Sequence, residues 1–297
     1  MDDSKANEKN VWPLRVGFQG IKGAYSEMAA TNYFQGRPVK LHPIDNFEGL
    51  FEALNHEVID FAVVPIENSL AGSIHENYDH MVRSSIWIHG EYKQRIEHSL
   101  IVNKDSAIED IEKVYSHPQA LYQCRRFLKK LNVDLVPYFD TAGAVKHLAD
   151  AGLKSIAAIA GKHAALDYGL SVAADNIQDE NDNYTRFFIV GKRSFNEQRY
   201  PGKTWKEPSK TSIVFALGNV PGGLHKALSV FAIRDIDLTK IESRPLQQKG
   251  SLWKYRFHMD FEGHINDVKI SRAIDHLADV TSFVKVLGSY RMHENSL

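Results

Sequence analysis

Phe61 to Asp79 read FAVVPIENSLAGSIHENYD. Phe61-Ala62-Val63-Val64 is a short apolar run of the kind that forms a buried strand. Pro65 has no N–H to give a ladder and marks where that strand stops pairing. Glu67, Asn68 and Ser69 then place an acid, an amide and a hydroxyl on consecutive positions. Gly72-Ser73 offer a turn and a helix cap before the polar segment from Ile74 onward. In open α/β sheets ligands bind at the carboxyl ends of strands. The segment therefore reads either as part of a site or as a capped strand-to-helix loop.

Outward from it the same alternation repeats. Strands are predicted at Leu14–Phe18, Val39–Ile44, Phe61–Val64, Ser99–Val102, Lys113–Ser116, Leu135–Phe139, Ser155–Ala160 and Arg186–Val190. Helices are predicted at Ser26–Phe34, Phe47–Asn55, Pro118–Leu131, Ala142–Ala151 and Lys162–Tyr168. Strand–helix alternation predicts an α/β fold with parallel strands. Ser99 to Val172 holds several such units of its own, which allows two lobes with a cleft between them. Arg193–Lys210, RSFNEQRYPGKTWKEPSK, is polar, carries Pro201-Gly202 and Pro208, and reads as a linker. Beyond it come a strand (Lys210–Leu217), a helix (Gly222–Arg234) and two strands (Ile236–Pro245 and Tyr255–Glu262). A helix (Val268–Ala278) and a strand (Ser282–Leu287) follow. In Tyr255–Glu262, Tyr255, Phe257, Met259 and Phe261 alternate with Arg256, His258, Asp260 and Glu262, which gives one dry face. The order βαββαβ is the ferredoxin-like motif. The expected division is 12–192, 193–210 and 211–297.

The formal charge of −1 offers no electrostatic footprint for nucleic acid. No apolar run approaches the ~20 residues of a membrane-spanning helix. MDDSKANEKN at the start is polar, with no apolar core of a signal or transit peptide, and reads as a loose tail. A single cysteine, Cys124, excludes an intramolecular disulfide and fits a reducing compartment, so a cytoplasmic location is expected.

Gly17, Gly20 and Gly23 miss the G-x-G-x-x-G spacing of dinucleotide sites. What remains is a loop that a ligand's anion could approach near Ser26, or a permissive turn capped by that serine. Asn183-Tyr184-Thr185-Arg186-Phe187 opens the last strand of the large region. Arg186 there could grip a carboxylate with two parallel hydrogen bonds, or be an ordinary edge arginine. Asp79 and His75 are spaced i, i+4 but lack an obvious third ligand, so no metal is expected. Cys124 sits on an amphipathic helix with no local base and reads as a packing residue.

Taken together, these segments resemble the prephenate dehydratase family. The matching motifs are GFQGIKGAYSEMAA at Gly17–Ala30, VPIENSLAGSIHENYD, SHPQALYQC at Ser116–Cys124, DTAGA at Asp140–Ala144, and NYTRF. PGGLHKAL at Pro221–Leu228 and IESRP at Ile241–Pro245 look like an ACT regulatory domain. The resemblance implies a two-lobed, periplasmic-binding-protein-like catalytic domain, with prephenate held between the lobes, followed by the ACT domain. It implies conversion of prephenate to phenylpyruvate, carbon dioxide and water, without cofactor or metal. Thr185 is then the residue most closely tied to activity, with Glu67 the acid if burial raises its pKa. Arg186, Phe187, Asn68, Ser69, Tyr25, Ser26, Thr141 and Ala142 would hold substrate. Phenylalanine would bind at Asn219, Gly222, Gly223, Leu224, Glu242, Ser243, Arg244 and Pro245, in a homo-oligomer (dimer or tetramer) joined through ACT domains. Gly222-Gly223-Leu224 departs from the family's common Gly-Ala-Leu, which loosens that turn. Arogenate dehydratase, with the same chemistry on the aminated substrate, is the near alternative. A non-catalytic amino-acid sensor is the distant one.

Overall fold

The computed structural model describes residues 13–193, 208–218, 220–245 and 255–293. The N-terminal tail, most of the expected linker, and Asn219 lie outside the described residues. In chain order the strands are β1 (Leu14–Gln19), β2 (Val39–Ile44), β3 (Phe61–Asn68), β4 (Gly72–Ser73), β5 (Trp87–Arg95), β6 (Ser99–Val102), β7 (Lys113–Ser116), β8 (Asp134–Pro137), β9 (Ile156–Ala160), β10 (Ser171–Ala174), β11 (Tyr184–Gly191), β12 (Ser209–Ala216), β13 (Leu238–Pro245), β14 (Tyr255–Glu262) and β15 (Phe283–Arg291). The helices are α1 (Tyr25–Tyr33), α2 (Phe47–Asn55), α3 (His75–Arg83), α4 (Pro118–Gln123), α5 (Arg125–Leu131), α6 (Thr141–Ala151), α7 (Lys162–Asp167), α8 (Gly223–Ala232) and α9 (Val268–Val280). The chain divides into two compact units, residues 1–63 with 96–182 and residues 64–95 with 183–297. The expected 12–192 region is thus shared between both units, and the boundary crosses β3.

In the first unit β2, β1 and the opening residues of β3 pair in parallel. A second sheet, ordered β10-β6-β9-β7-β8, has β9 at its centre. Ile156-Ala157-Ala158-Ile159-Ala160 is apolar throughout because both of its faces are covered. Ala157 and Ile159 pack with Leu121, Cys124 and Leu128, whereas Ile156, Ala158 and Ala160 pack with Val145, Leu148 and Ala164. Cys124 is the packing residue expected, and burial pushes its thiol up. The expected helix Pro118–Leu131 breaks at Cys124, where φ is −111°. The strands are not all parallel, since β6 runs antiparallel to both β9 and β10.

In the second unit, β12–α8–β13–β14–α9–β15 builds a four-stranded antiparallel sheet ordered β13-β14-β12-β15, the ferredoxin-like topology. Phe215, Phe231, Met259, Phe261, Ile270 and Leu277 fill the core between its sheet and helices. The opposite sheet face is not the solvated face that the alternation predicts, because His258 and Asp260 are buried there. Residues 64–95 and 183–191 of the same unit cover it. Gly288 permits the close approach of β15 to β5, since a Cβ there would lie 2.4 Å from the Ile88 carbonyl oxygen. Lys285 Nζ donates to the carbonyls of Met81, Val82 and Ser84 at 3.2, 2.9 and 2.7 Å, a cation placed on the C-terminal end of α3.

This buried polar face carries a pH dependence. His258 packs its ring 4.7 Å from that of Tyr78, and neither ring nitrogen has a hydrogen-bond partner. Burial, then the charge of Arg256, lowers its pKa from 6.5 to about 4, against the opposing pull of Asp79, Glu242 and Asp260. The unfolded chain therefore binds a proton that the folded chain refuses between those values, so stability falls as pH drops through that window. The urea midpoint should be lower at about pH 5 than at about pH 7.5, and His258→Leu should flatten the difference. Some slope persists in that variant because burial also lowers His264 to about 4. A midpoint equal at both pH values would contradict a neutral buried His258.

Candidate functional site

Neighbouring residues of a strand point to opposite faces, and this divides the candidates of the second unit into two groups. Glu67 and Arg186 meet on one face, and Asn68 and Thr185 on the other.

On the first face Arg186 is buried, with its donors committed to the protein itself. Nε donates to Glu91 at 2.7 Å, Nη1 to Asp260 at 2.7 Å and to Glu67 at 3.3 Å, and Nη2 to the Tyr290 hydroxyl at 3.0 Å. Its guanidinium also lies 4.8 Å from the Phe188 ring centre. Ser212 donates to Asp260 at 2.6 Å and shares a 2.7 Å hydrogen bond with the Tyr290 hydroxyl. The bidentate carboxylate grip expected of Arg186 is therefore not on offer. Glu67 is also tied into this network. Its carboxylate meets Arg186 through one oxygen and Lys240 through the other.

The second face is built differently. Asn68 Oδ1 accepts from the backbone N–H groups of Leu70 and Ala71 at 3.0 and 2.9 Å. Its Nδ2 faces Asn183 Oδ1 at 2.7 Å, Thr185 Oγ1 at 3.1 Å and the Tyr184 carbonyl at 3.2 Å. Ser69 exchanges two bonds with Tyr184: its N–H donates at 2.8 Å and its Oγ accepts at 3.0 Å. Thr185 is half-buried, and its hydroxyl oxygen already accepts a hydrogen bond. Its hydrogen is left to be donated. Phe187 follows on the same face by alternation but is buried. Pro65 does not end β3 as predicted. The strand continues through it, and the Pro65 carbonyl accepts from Asn77 at 2.7 Å.

In the first unit, Ser26 is not a helix cap. Ala24 holds that position, and Ser26 Oγ donates to the Gln19 carbonyl at 2.6 Å. Gly23, at φ +87°, gives its N–H to Glu27 at 2.6 Å, so an acid already occupies the end of α1. Tyr25 donates to the Glu97 carbonyl at 2.6 Å, and burial pushes its phenol well above the usual value. Thr141 begins α6 beside the capping Asp140, whose carboxylate accepts from Gly143 at 2.5 Å. Ala142 is fully buried against Phe18 and Ala24.

The candidates for an effector site also separate. Gly222, at φ +73°, caps α8, with Gly223 and Leu224 opening that helix. Glu242 and Arg244 alternate with Ser243 and Pro245 along β13. Glu242 meets Ser73 at 2.5 Å and His75 at 3.0 Å, and Arg244 meets Asp79 at 3.4 Å. Ser243 and Pro245 belong to the other face of the strand. Asp79 also pairs with Arg256 at 3.6 Å, so the His75–Asp79 spacing serves ion pairs. Among the described residues, no three or more His, Cys, Asp or Glu residues are grouped to hold a metal.

Asp260, Tyr290 and Lys240 complete the first face, and Asn183 the second, and none was a sequence candidate. For the first three the one signal was polar residues in strands that otherwise read as core; for Asn183, which precedes β11, it was the first place in NYTRF.

Residues 16–195 match the family model for prephenate dehydratase. The chain belongs to the prephenate dehydratase family. It is 45% identical over 284 residues to the arogenate dehydratase/prephenate dehydratase 2 of Arabidopsis thaliana, a chloroplastic protein, covering 93% of this chain and 72% of that one. The prephenate dehydratase of Arthrobacter aurescens, solved in complex with L-Phe, superposes with a TM-score of 0.83 at 29% identity, over 94% of this chain and 90% of that one. A structure described as a novel type of quorum-quenching acylase superposes with a TM-score of 0.83 at 32% identity, over 94% of this chain and 98% of that one. The two-lobed α/β architecture and the place in phenylalanine biosynthesis are those of this dehydratase family. Among the described residues no helix is long and apolar enough to cross a membrane.

Proposed function

We propose that the chain converts prephenate to phenylpyruvate, carbon dioxide and water, with Thr185 as the hydrogen-bond donor to the departing hydroxyl. The observation that carries this reading is the Thr185 oxygen accepting from Asn68 at 3.1 Å, which turns the O–H hydrogen outward. Loss of carbon dioxide sends an electron pair through the diene toward the carbon bearing the ring hydroxyl, and that C–O bond breaks. Negative charge grows on the leaving oxygen, so a fixed donor there binds the transition state more strongly than the ground state. A threonine hydroxyl is too weak an acid to be the proton source at neutral pH. The proton that completes the water comes from solvent. Aromatisation supplies the driving force, and the reaction needs no metal or redox cofactor.

Arogenate is the second reading, and 45% identity over 289 residues to the arogenate dehydratase 2 of Petunia hybrida favours it. The two substrates differ in a keto or amino group on the side chain, away from the bonds that break. We assign catalysis to 12–192 and regulation to a phenylalanine-binding ACT module at 211–297. The L-Phe complex of the Arthrobacter enzyme supports that regulatory assignment. Assembly through that module, as a dimer or tetramer, belongs to the same reading. A reducing compartment suits the buried thiol of Cys124. The test is product analysis after incubation of purified protein with each substrate, with and without phenylalanine. Phenylpyruvate from prephenate, suppressed by phenylalanine, is the expected result. Phenylalanine formed from arogenate alone would move the chain to the second reading. No turnover of either would leave an amino-acid sensor in its place.

A further inference from the structure

We infer that Asn68 and Asn183 are positioning residues that set the direction of the Thr185 O–H bond, an assignment that rests on Thr185 being the donor proposed above. The orientation of the Asn68 amide is fixed from both ends. The N–H groups of Leu70 and Ala71 can only donate, so the end they meet is the oxygen. The Tyr184 carbonyl can only accept, so the end it meets is the NH2. Rotating the amide by a half turn would set oxygen against oxygen on one side and N–H against N–H on the other. Asn183, fully buried, adds the shortest contact, accepting from Asn68 Nδ2 at 2.7 Å.

The consequence falls on Thr185. An amide NH2 has two hydrogens, shared here among three acceptors, and no lone pair to accept with, so Thr185 Oγ1 can only accept from it and cannot spend its own hydrogen there. A threonine hydroxyl otherwise rotates to suit its surroundings. The two asparagines thereby keep the hydroxyl aimed outward before substrate arrives. Neither needs to touch the reacting atoms.

The test compares kcat and KM from about pH 5 to 9 for wild type, Asn68→Asp, Asn183→Leu and Thr185→Ala, on whichever of prephenate and arogenate is turned over. Asn68→Asp keeps an oxygen for Leu70 and Ala71 but sets a second oxygen toward Thr185, which then turns its hydrogen inward. Its kcat should fall about a hundredfold at about pH 8, with KM within about threefold. That loss should shrink as pH falls, because the protonated carboxyl regains a hydrogen to donate, whereas a merely structural residue gives no such recovery and a substrate contact shows its loss in KM. Asn183→Leu removes the acceptor that pins the amide and should lower kcat about tenfold without raising KM. If the leucine variant fails to fold, the pH profile of Asn68→Asp decides alone. Wild-type kcat in Asn68→Asp, a loss carried by KM, or a loss equal at every pH would overturn the inference. If Thr185→Ala is inactive in that case, the Thr185 reading survives. Full activity in Thr185→Ala would sink both.

Discussion

Thr185→Ala should lower kcat by about a hundred- to a thousandfold, the range found when one fixed donor to a developing oxyanion is removed. The substitution deletes only the hydroxyl that accepts from Asn68 at 3.1 Å, and it leaves the β5–β11 pairing to the backbone. Thr185→Ser restores a hydroxyl at the same position and should recover most of the rate. Serine lacks the methyl that stiffens χ1, so recovery stays incomplete. Steady-state kinetics on the three proteins, with matched melting temperatures, checks this. Equal loss in the serine and alanine variants would show that packing of the methyl matters, and the donor assignment would fall.

The second large effect is on stability. Arg186→Ala should cost about 3–5 kcal/mol, because it strands the buried carboxylates of Glu91 and Asp260 without their shared cation. For a chain of this size that is a fall on the order of 10 °C in Tm. Lys210 stands 3.5 Å from Glu91 and softens the loss on that side only. Arg186→Lys keeps a charge but cannot reach Glu91, Asp260 and Tyr290 together, and should fall between the two. Thermal unfolding monitored by circular dichroism separates this account from substrate binding by Arg186. An unchanged Tm with a large rise in KM would place Arg186 on the substrate instead. The same network ties Asp260 and Tyr290 of 211–297 to Arg186. Removing 211–297 takes both from Arg186, so a truncated chain should lose stability along with any phenylalanine response.

Much of the fold was legible where one face of an element is wet. The bounds of Phe47–Asn55 agree between pattern and structure because it buries a periodic stripe, whereas Tyr255–Glu262 keeps its bounds although its polar face is buried too. β5, Trp87–Arg95, gave no such signal. His89 and Glu91 are buried on it, satisfied by partners far along the chain, and nothing local marks them as core. The site was legible as residue types and motif order, in ENS and NYTRF. Its division into two faces follows from strand alternation, since Glu67-Asn68 and Thr185-Arg186 are adjacent pairs. What no pattern carries is the identity of the partners. Asp260 and Tyr290 lie 74 and 104 residues from Arg186 in sequence, and they decide that its charge serves the fold.

The most direct test of the Thr185 assignment is a binding titration of folded Thr185→Ala with the substrate that wild type turns over, with product assayed in the same sample. The account predicts binding within a few-fold of the wild-type KM and almost no product, since the hydroxyl acts on the transition state and hardly on the ground state. Conversion at the wild-type rate would contradict it.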